Sequence, residues 1–319
     1  MIGILLNRLF PNVIKHFPAC KLMKVSSNMK ILCTGATGFI GSYLVPALLN
    51  KKHNVAVLKR KISNLKQLEK QKDNLTVYDY VNYQDIENAL QEYKPDLIIH
   101  LATLYINNHS KEELQALINS NILFGTQVLE AMQNTGVIKI LNFGTRWQHI
   151  NDELYNPANL YAATKQAFYD ILRWYNKNGI RSKTLELCDT FGKNDTRKKI
   201  VSLLIDACRN KVPLDLSPGE QILDITYIDD LVEYIISNIE DNGFYDNAIV
   251  QIIGTEIKLK DLGMLIEKQY GVKGFLRWGA KGYRKNEVMS PPLCENIAKA
   301  QLTADIHTAL TTTCNLDRQ

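Results

Sequence analysis

Residues 29–41 read MKILCTGATGFIG: a short apolar run, then a turn with glycines at 35, 38 and 41, then the start of a helical pattern. Few segments constrain a fold so tightly. An apolar run of this length, followed at once by glycines and a helix, is the opening strand-turn-helix of an α/β sheet. The glycines permit a tight turn and let the main chain approach a pyrophosphate. Thr37, Gly38, Phe39 and Ile40 are the turn residues expected at a cofactor, where a helix N-terminus offers unsatisfied N–H groups and a partial positive charge that favours an anion. The turn therefore predicts a pyrophosphate site, and with it a dinucleotide cofactor.

The rest of the chain alternates in the same way. Strands are predicted at 30–35, 54–60, 75–80, 96–103, 138–145 and 182–190. Helices are expected between them, including a long one over 111–136 closed by Gly136 and another over 158–177. Strands separated by helices give a doubly wound parallel sheet, a Rossmann architecture. After residue 192 the pattern becomes mixed. We expect a cofactor domain over 29–192 and a smaller substrate-binding lobe over 193–319, part of which returns to the sheet.

The second strand ends in Lys59 and Arg60, with no acid beside them. An acidic residue there would bind the ribose 2′-hydroxyl of NAD, whereas basic residues suit the 2′-phosphate of NADP. NADP(H) is therefore expected over NAD. Asp79, in the third strand, is a candidate acceptor for the adenine amino group.

Net charge is +5, but residues 1–28 hold Arg8, Lys15, Lys21 and Lys24 and no acid. Removing those four leaves +1, which gives no electrostatic case for nucleic acid. This basic, apolar leader is interrupted by Pro11 and Pro18 and lacks the order of a secretory signal. It is expected to be dispensable, with a membrane- or partner-contacting arm as the alternative. Apolar residues make up 45% and charged residues 22%, as in soluble globular chains. Six scattered cysteines without a C-x-x-C pair fit reduced thiols in the cytoplasm, and six dispersed histidines suggest no metal site. No apolar run reaches the ~20 residues of a membrane-spanning helix.

The stretch NLYAATKQAF places Tyr161 one helical turn before Lys165. That spacing alone is weak. Together with TGATGFIG, HLAT, NILFGT and TYIDD, in that order, it resembles the extended short-chain dehydrogenase/reductases that modify nucleotide sugars. More narrowly, NFGTRWQH, YNPANLYAATKQAF, GEQILDITYIDD and YRKNEVM resemble the group of CDP-abequose and CDP-paratose synthases, which reduce a 4-keto sugar with NADPH. The resemblance covers residues 30–235 well and the last eighty residues poorly.

It implies a catalytic Thr145, Tyr161 as proton donor and Lys165 as its partner, with Asn121 anchoring a helix. It also implies cofactor contacts from Leu101, Ala102 and Thr103, and from Cys188, Asp189 and Thr190. The physics is compatible. A free tyrosine titrates near pH 10, and a neighbouring cation favours its phenolate. Thr145 can donate to a carbonyl on which negative charge develops.

Three departures stand out. Related 4,6-dehydratases carry an acidic pair after the catalytic Thr; here Arg146 follows, which stays charged and cannot protonate a leaving hydroxyl. Leu223-Asp224-Ile225 replaces an RDF motif whose arginine binds the substrate diphosphate; Arg197, Lys198 and Arg284 are the substitutes to consider. The link from Thr145 to Tyr161 is short and carries Trp147, Gln148 and His149, expected to line the sugar pocket, although His149 could instead be a packed loop residue. The expected activity is reduction of a nucleotide-linked 4-keto-deoxysugar by a homodimer paired through its long helices. A 4-epimerase with bound NAD and a non-catalytic NADP-binding regulator are the alternatives.

Overall fold

The computed structural model describes residues 28–285, 287–302 and 304–314; residues 1–27 of the leader lie outside them. Thirteen strands occur among the described residues: β1 (Lys30–Thr34), β2 (Asn54–Arg60), β3 (Leu75–Tyr80), β4 (Leu97–His100), β5 (Lys139–Thr145), β6 (Arg181–Leu187), β7 (Asp189–Phe191), β8 (Leu214–Asp215), β9 (Ile222–Tyr227), β10 (Ile249–Ile253), β11 (Thr255–Lys258), β12 (Leu276–Arg277) and β13 (Ala298–Gln301). Eight form one parallel sheet in the order β13-β10-β6-β5-β4-β1-β2-β3. Helices cover both of its faces, the architecture of a Rossmann fold.

The helices are α1 (Phe39–Asn50), α2 (Tyr83–Tyr93), α3 (Leu114–Ile118), α4 (Phe124–Thr135), α5 (Leu160–Lys177), α6 (Ile200–Asn210), α7 (Ile228–Asn238), α8 (Leu259–Tyr270) and α9 (Ile306–Cys314). Alternate strand residues point to opposite faces. Ile31, Cys33, Val55, Val57, Ile99 and Leu141 pack with Leu44 and Leu48 of α1 and Leu231 and Ile235 of α7. Leu32, Ala56, Leu58, Ile98 and Ile140 pack with Ile86 and Leu90 of α2, Val128 and Met132 of α4, and Phe168 and Leu172 of α5. Burial on both faces is why these strands read as continuous apolar runs. A third cluster gathers α6, α8 and α9 around Phe191, Leu204, Leu262 and Leu310. It belongs to the smaller lobe, with its two small sheets, β11-β9-β7 and β12-β8.

Two predicted elements are each divided. The run 182–190 becomes two strands in different sheets, hinged at Cys188. The last pair between β5 and β6 is Thr145 with Leu187. There β5 turns into a short 3₁₀ segment, Arg146–Gln148. Having lost its neighbour, the chain crosses to pair Asp189 with Ile225 of β9. The long helix is likewise interrupted: a π-turn, Asn119–Leu123, lies between α3 and α4. Asn121 sits in it, and Gly136 closes α4 at φ 76°, as a left-handed cap should. No helix among the described residues is long and apolar enough to cross a membrane.

Candidate functional site

A cavity of about 1030 Å³ runs along the carboxyl ends of β1, β2, β4, β5 and β6, where ligands bind in open α/β sheets. The glycine turn forms one end. Gly35 has φ +67°, and a Cβ there would lie 2.5 Å from the Ala102 nitrogen. The turn is thus pressed against the loop after β4, and Thr34 receives hydrogen bonds from the N–H groups of Leu101 and Ala102. A Cβ on Gly41 would lie 2.5 Å from the Ala36 Cα, so α1 can pack on the turn only with glycine there. A Cβ on Gly38 would meet only the Gly35 carbonyl, at 3.2 Å. The main chain is therefore open at the point where a pyrophosphate must approach, and the lining suits a dinucleotide.

At the end of β2, Leu58, Lys59, Arg60 and Ser63 line the cavity with Tyr80 and Val81. Asp79 does not line it. Its carboxylate is held by the Lys59 ammonium at 2.5 Å, because β2 and β3 pair Lys59 directly opposite Asp79. Asp79 is thus a charge partner of Lys59, in place of its expected role as an adenine acceptor, and the expected basic pair is half-neutralised.

The other end holds Thr145, Tyr161 and Lys165, all on the cavity wall. Asn159 caps α5 by accepting from the Ala162 N–H. The α5 face carrying Tyr161, Lys165, Phe168 and Leu172 is buried, as its 3–4-residue spacing dictates. Phe168 and Leu172 anchor that face, each contributing about 2–3 kcal/mol of burial. Asn121 joins α5 to the loop after β4. It accepts from the Thr103 hydroxyl and the Leu104 N–H and donates to the Leu104 carbonyl and the Thr164 hydroxyl. The π-turn, a device frequent at functional sites, carries this latch.

Burial pushes the Tyr161 hydroxyl above its ordinary range; Lys199, a hydrogen bond with Thr103, and Arg197 pull it back. The cation named for the phenolate in sequence was Lys165; in the structure Lys199 acts most strongly. The Lys199 ammonium bonds Asp189 at 2.8 Å and lies 4.1 Å from the Tyr105 ring, which packs edge-on against Tyr161. Asp189 thereby holds Lys199 and does not itself line the cavity, whereas Cys188 and Thr190 do. Burial lowers Lys165 to about 8. Its Nζ has no protein hydrogen-bond partner among the described residues, and the residue lies on the cavity wall.

Thr145 donates to the Leu187 carbonyl at 3.2 Å, and its N–H is held by the Gln148 side chain at 3.1 Å. Trp147 lines the cavity, but its two neighbours do not. Gln148 is buried, splinting Thr145 and donating to Gln166 at 2.9 Å. His149 is buried with Nε2 2.9 Å from Glu186 and Nδ1 2.8 Å from the Leu154 carbonyl. It is the packed loop histidine, not a pocket residue. Burial disfavours its charge, but the Glu186 carboxylate and the two loop carbonyls outweigh that and raise its pKa.

Arg146 turns away from the cavity. Its guanidinium is fully buried, paired with Asp224, and donates to the carbonyls of Pro292 at 2.7 Å and Ile252 at 3.3 Å. Arg197 and Lys198 line the cavity with Lys199. Arg284 does not; its exposed side chain is clasped by Glu287 at 2.8 Å. Lys199 and Tyr105 escaped the sequence reading. The run Arg197-Lys198-Lys199, immediately before α6, was the available signal for the lysine.

The NAD dependent epimerase/dehydratase family model matches residues 31–250. The chain is 33% identical to a CDP-abequose synthase of Yersinia pseudotuberculosis over 82% of its own length and 92% of that protein. It is 28% identical to a CDP-abequose synthase of Salmonella muenchen, over 82% and 88% respectively. Among solved structures, the UDP-glucose 4-epimerase of Thermotoga maritima superposes with a TM-score of 0.78 at 20% identity, covering 90% of this chain and 97% of that one. A strand-turn-glycine opening, an eight-stranded parallel sheet and a family match over most of the chain agree: this protein is an enzyme of the NAD dependent epimerase/dehydratase family, whose members modify nucleotide sugars.

Proposed function

We propose that the protein reduces the 4-keto group of a nucleotide-linked deoxyhexulose with NADPH, as in the formation of CDP-abequose or CDP-paratose. One observation carries this reading: Thr145, Tyr161 and Lys165 line the same cavity as the glycine turn. The similarity to two CDP-abequose synthases supports the substrate class.

Gly35 to Gly41 would seat the cofactor pyrophosphate, and Arg60 and Ser63, at the end of β2, would face the adenosine 2′-phosphate. The Lys165 ammonium would hold the nicotinamide ribose. NADPH supplies the hydride when bound. Thr145 turns its hydroxyl from the Leu187 carbonyl to the sugar carbonyl oxygen, and Tyr161 delivers the proton that completes the secondary alcohol. Lys199 keeps positive charge beside that oxygen. Trp147 gives the sugar an apolar wall, and Lys198 is left for the substrate diphosphate. Arg146 argues against dehydration twice over: it is no acid, and its side chain does not enter the cavity.

The reading puts the reaction in the cytoplasm, which the five free cysteines among the described residues support. Two copies would pair through the outer surfaces of α4 and α5, where Trp174 is exposed. Sedimentation as a monomer would remove that part.

A second reading, a 4-epimerase holding NAD, is favoured by the Lys59–Asp79 pair, which lowers the charge available to a 2′-phosphate. The deciding experiment incubates the purified protein with NADPH or NADH and a panel of CDP-, dTDP-, GDP- and UDP-linked 4-keto sugars. Consumption of NADPH with a CDP-linked sugar supports the proposal. Tightly bound NAD in the purified protein, with interconversion of 4-epimers and no net consumption, replaces it with the second reading.

A further inference from the structure

The segment 192–199 is a strap from β7 to α6 whose last three residues, Arg197, Lys198 and Lys199, line the cavity. Its first half packs against α7 and α1: a Cβ on Gly192 would lie 2.4 Å from the Ile228 side chain and 3.5 Å from the Phe39 ring. The Tyr43 hydroxyl donates to the Lys193 carbonyl at 2.5 Å, and the Tyr43 ring packs edge-on against Phe39. Arg197 completes the seam, its guanidinium carbon 4.1 Å from the centre of the Phe39 ring. Phe39 is the first residue of α1, next to Gly38. The guanidinium therefore lies over the first residue of the helix that follows the phosphate turn.

The orientation of that guanidinium is fixed by its own partners. Nε and Nη2 grip the two Asp195 oxygens at 2.8 Å each, and Nη2 also donates to the Thr190 carbonyl at 2.7 Å and its hydroxyl at 3.1 Å. Nη1 has no protein partner among the described residues, while Arg197 lines the cavity. A planar fork with one edge clamped presents its remaining donors in a set direction. Asp195 offsets part of the charge, so the expected contribution is that of one charge-assisted hydrogen bond, not of a free cation.

We propose that Arg197 is a ligand of the cofactor pyrophosphate, reaching it from beside the N-terminus of α1, and is not a ligand of the substrate diphosphate. Arg197 is thereby moved from the substrate group, where its sequence position put it, to the cofactor group. The strap is left with two cations of different purpose, two residues apart: Arg197 at the phosphate turn and Lys199 beside Tyr161. The inference rests on the reading of the cavity as a dinucleotide site.

The test is equilibrium binding to the full chain and to Arg197→Met and Arg197→Lys. The ligands are NADPH, ADP-ribose (which has the pyrophosphate without nicotinamide), adenosine 2′-monophosphate (which lacks the pyrophosphate) and CDP. Arg197→Met is expected to weaken NADPH and ADP-ribose about tenfold and to leave the other two unchanged. Arg197→Lys keeps the charge without the fork and is expected to recover part of the loss. Unchanged NADPH binding in Arg197→Met, a loss confined to CDP, or an equal loss of all four ligands would overturn the proposal. If Arg197→Met does not fold, full-strength NADPH and ADP-ribose binding by Arg197→Lys would overturn it. A native protein that binds no dinucleotide would instead refute the reading of the cavity itself.

Discussion

The two ends of the cavity are made of different material. At the glycine turn the binding surface is main chain, and the side chains that matter are those that are missing: a Cβ at Gly35 or Gly41 would lie 2.5 Å from neighbouring backbone. At Thr145 the surface is side chains, and behind them are buried charges. Arg146 with Asp224, and His149 with Glu186, stand directly behind the residue that would meet the sugar carbonyl. A main-chain site is cheap to preorganise, because folding itself aims the N–H groups. A site backed by buried ions is costly, because each charge loses its water and is compensated only as long as its partner remains. The sugar end should therefore break abruptly under substitution.

The largest effect is expected at the reacting hydroxyl. Tyr161→Phe removes one oxygen from a residue whose ring stays packed against Tyr105. Turnover should fall by about a thousandfold, the usual scale for a positioned proton donor, while NADPH affinity and the unfolding midpoint stay near those of the native protein. Substantial remaining turnover would show that another group delivers the proton.

Next comes the buried pair. Arg146→Met strands the Asp224 carboxylate, which among the described residues keeps only the Gly254 N–H at 2.8 Å. It should cost about 3 kcal/mol in denaturant unfolding. Adding Asp224→Leu should restore part of that, since two apolar side chains leave no uncompensated charge. A single variant as stable as the native protein would show that the sugar end is not held by this pair.

The contrast also explains what could be read in the sequence. Strand order, both helical faces and the glycine turn follow from local rules of periodicity and backbone geometry, and the turn announces them within residues 29–41. Tyr161 and Lys165 were legible for the same reason, since four residues along a helix make one face. The fates of Gln148, His149, Asp79 and Arg146 were not. Three are decided by a partner distant in sequence: Glu186 for His149, Asp224 for Arg146, and for Asp79 a lysine on the neighbouring strand; Gln148 is consumed closer by, capping Thr145 and reaching Gln166. No local rule says which polar residue of RWQH faces a ligand and which is consumed by the core. Trp147 alone of the four lines the cavity.

A smaller effect is expected from His149. Its raised pKa means that protonation favours the folded state. The stabilisation is fully present below the unfolded value of about 6.5 and is lost as pH rises through the folded pKa. His149→Gln should cost about 2 kcal/mol at acid pH, and the gap to the native protein should narrow as pH rises. Stability measured by denaturant from pH 5.5 to 9 gives the comparison; a gap independent of pH would mean that the imidazole packs as a neutral ring.

The smallest effect brings the two ends into one measurement. Lys165 lies at the sugar end, yet its proposed ligand is the cofactor. Burial lowers it to about 8, so without ligand it loses its proton above that pH. The unfolded chain still holds that proton up to about 10.4, so this group makes the free protein more stable as pH climbs from 8. If the charged form is the one that grips the ribose, NADPH binding must move the opposite way, weakening by up to about tenfold for each unit above 8. Tyr161 cannot produce that profile, because burial moves its titration upward, away from this window. Lys165→Met should bind more weakly at neutral pH and show a flat profile. Binding titrations from pH 7 to 9.5 decide between the two. If the native profile is also flat while the fold grows more stable, the charge on Lys165 is a burden of the sugar end and not a contact of the cofactor.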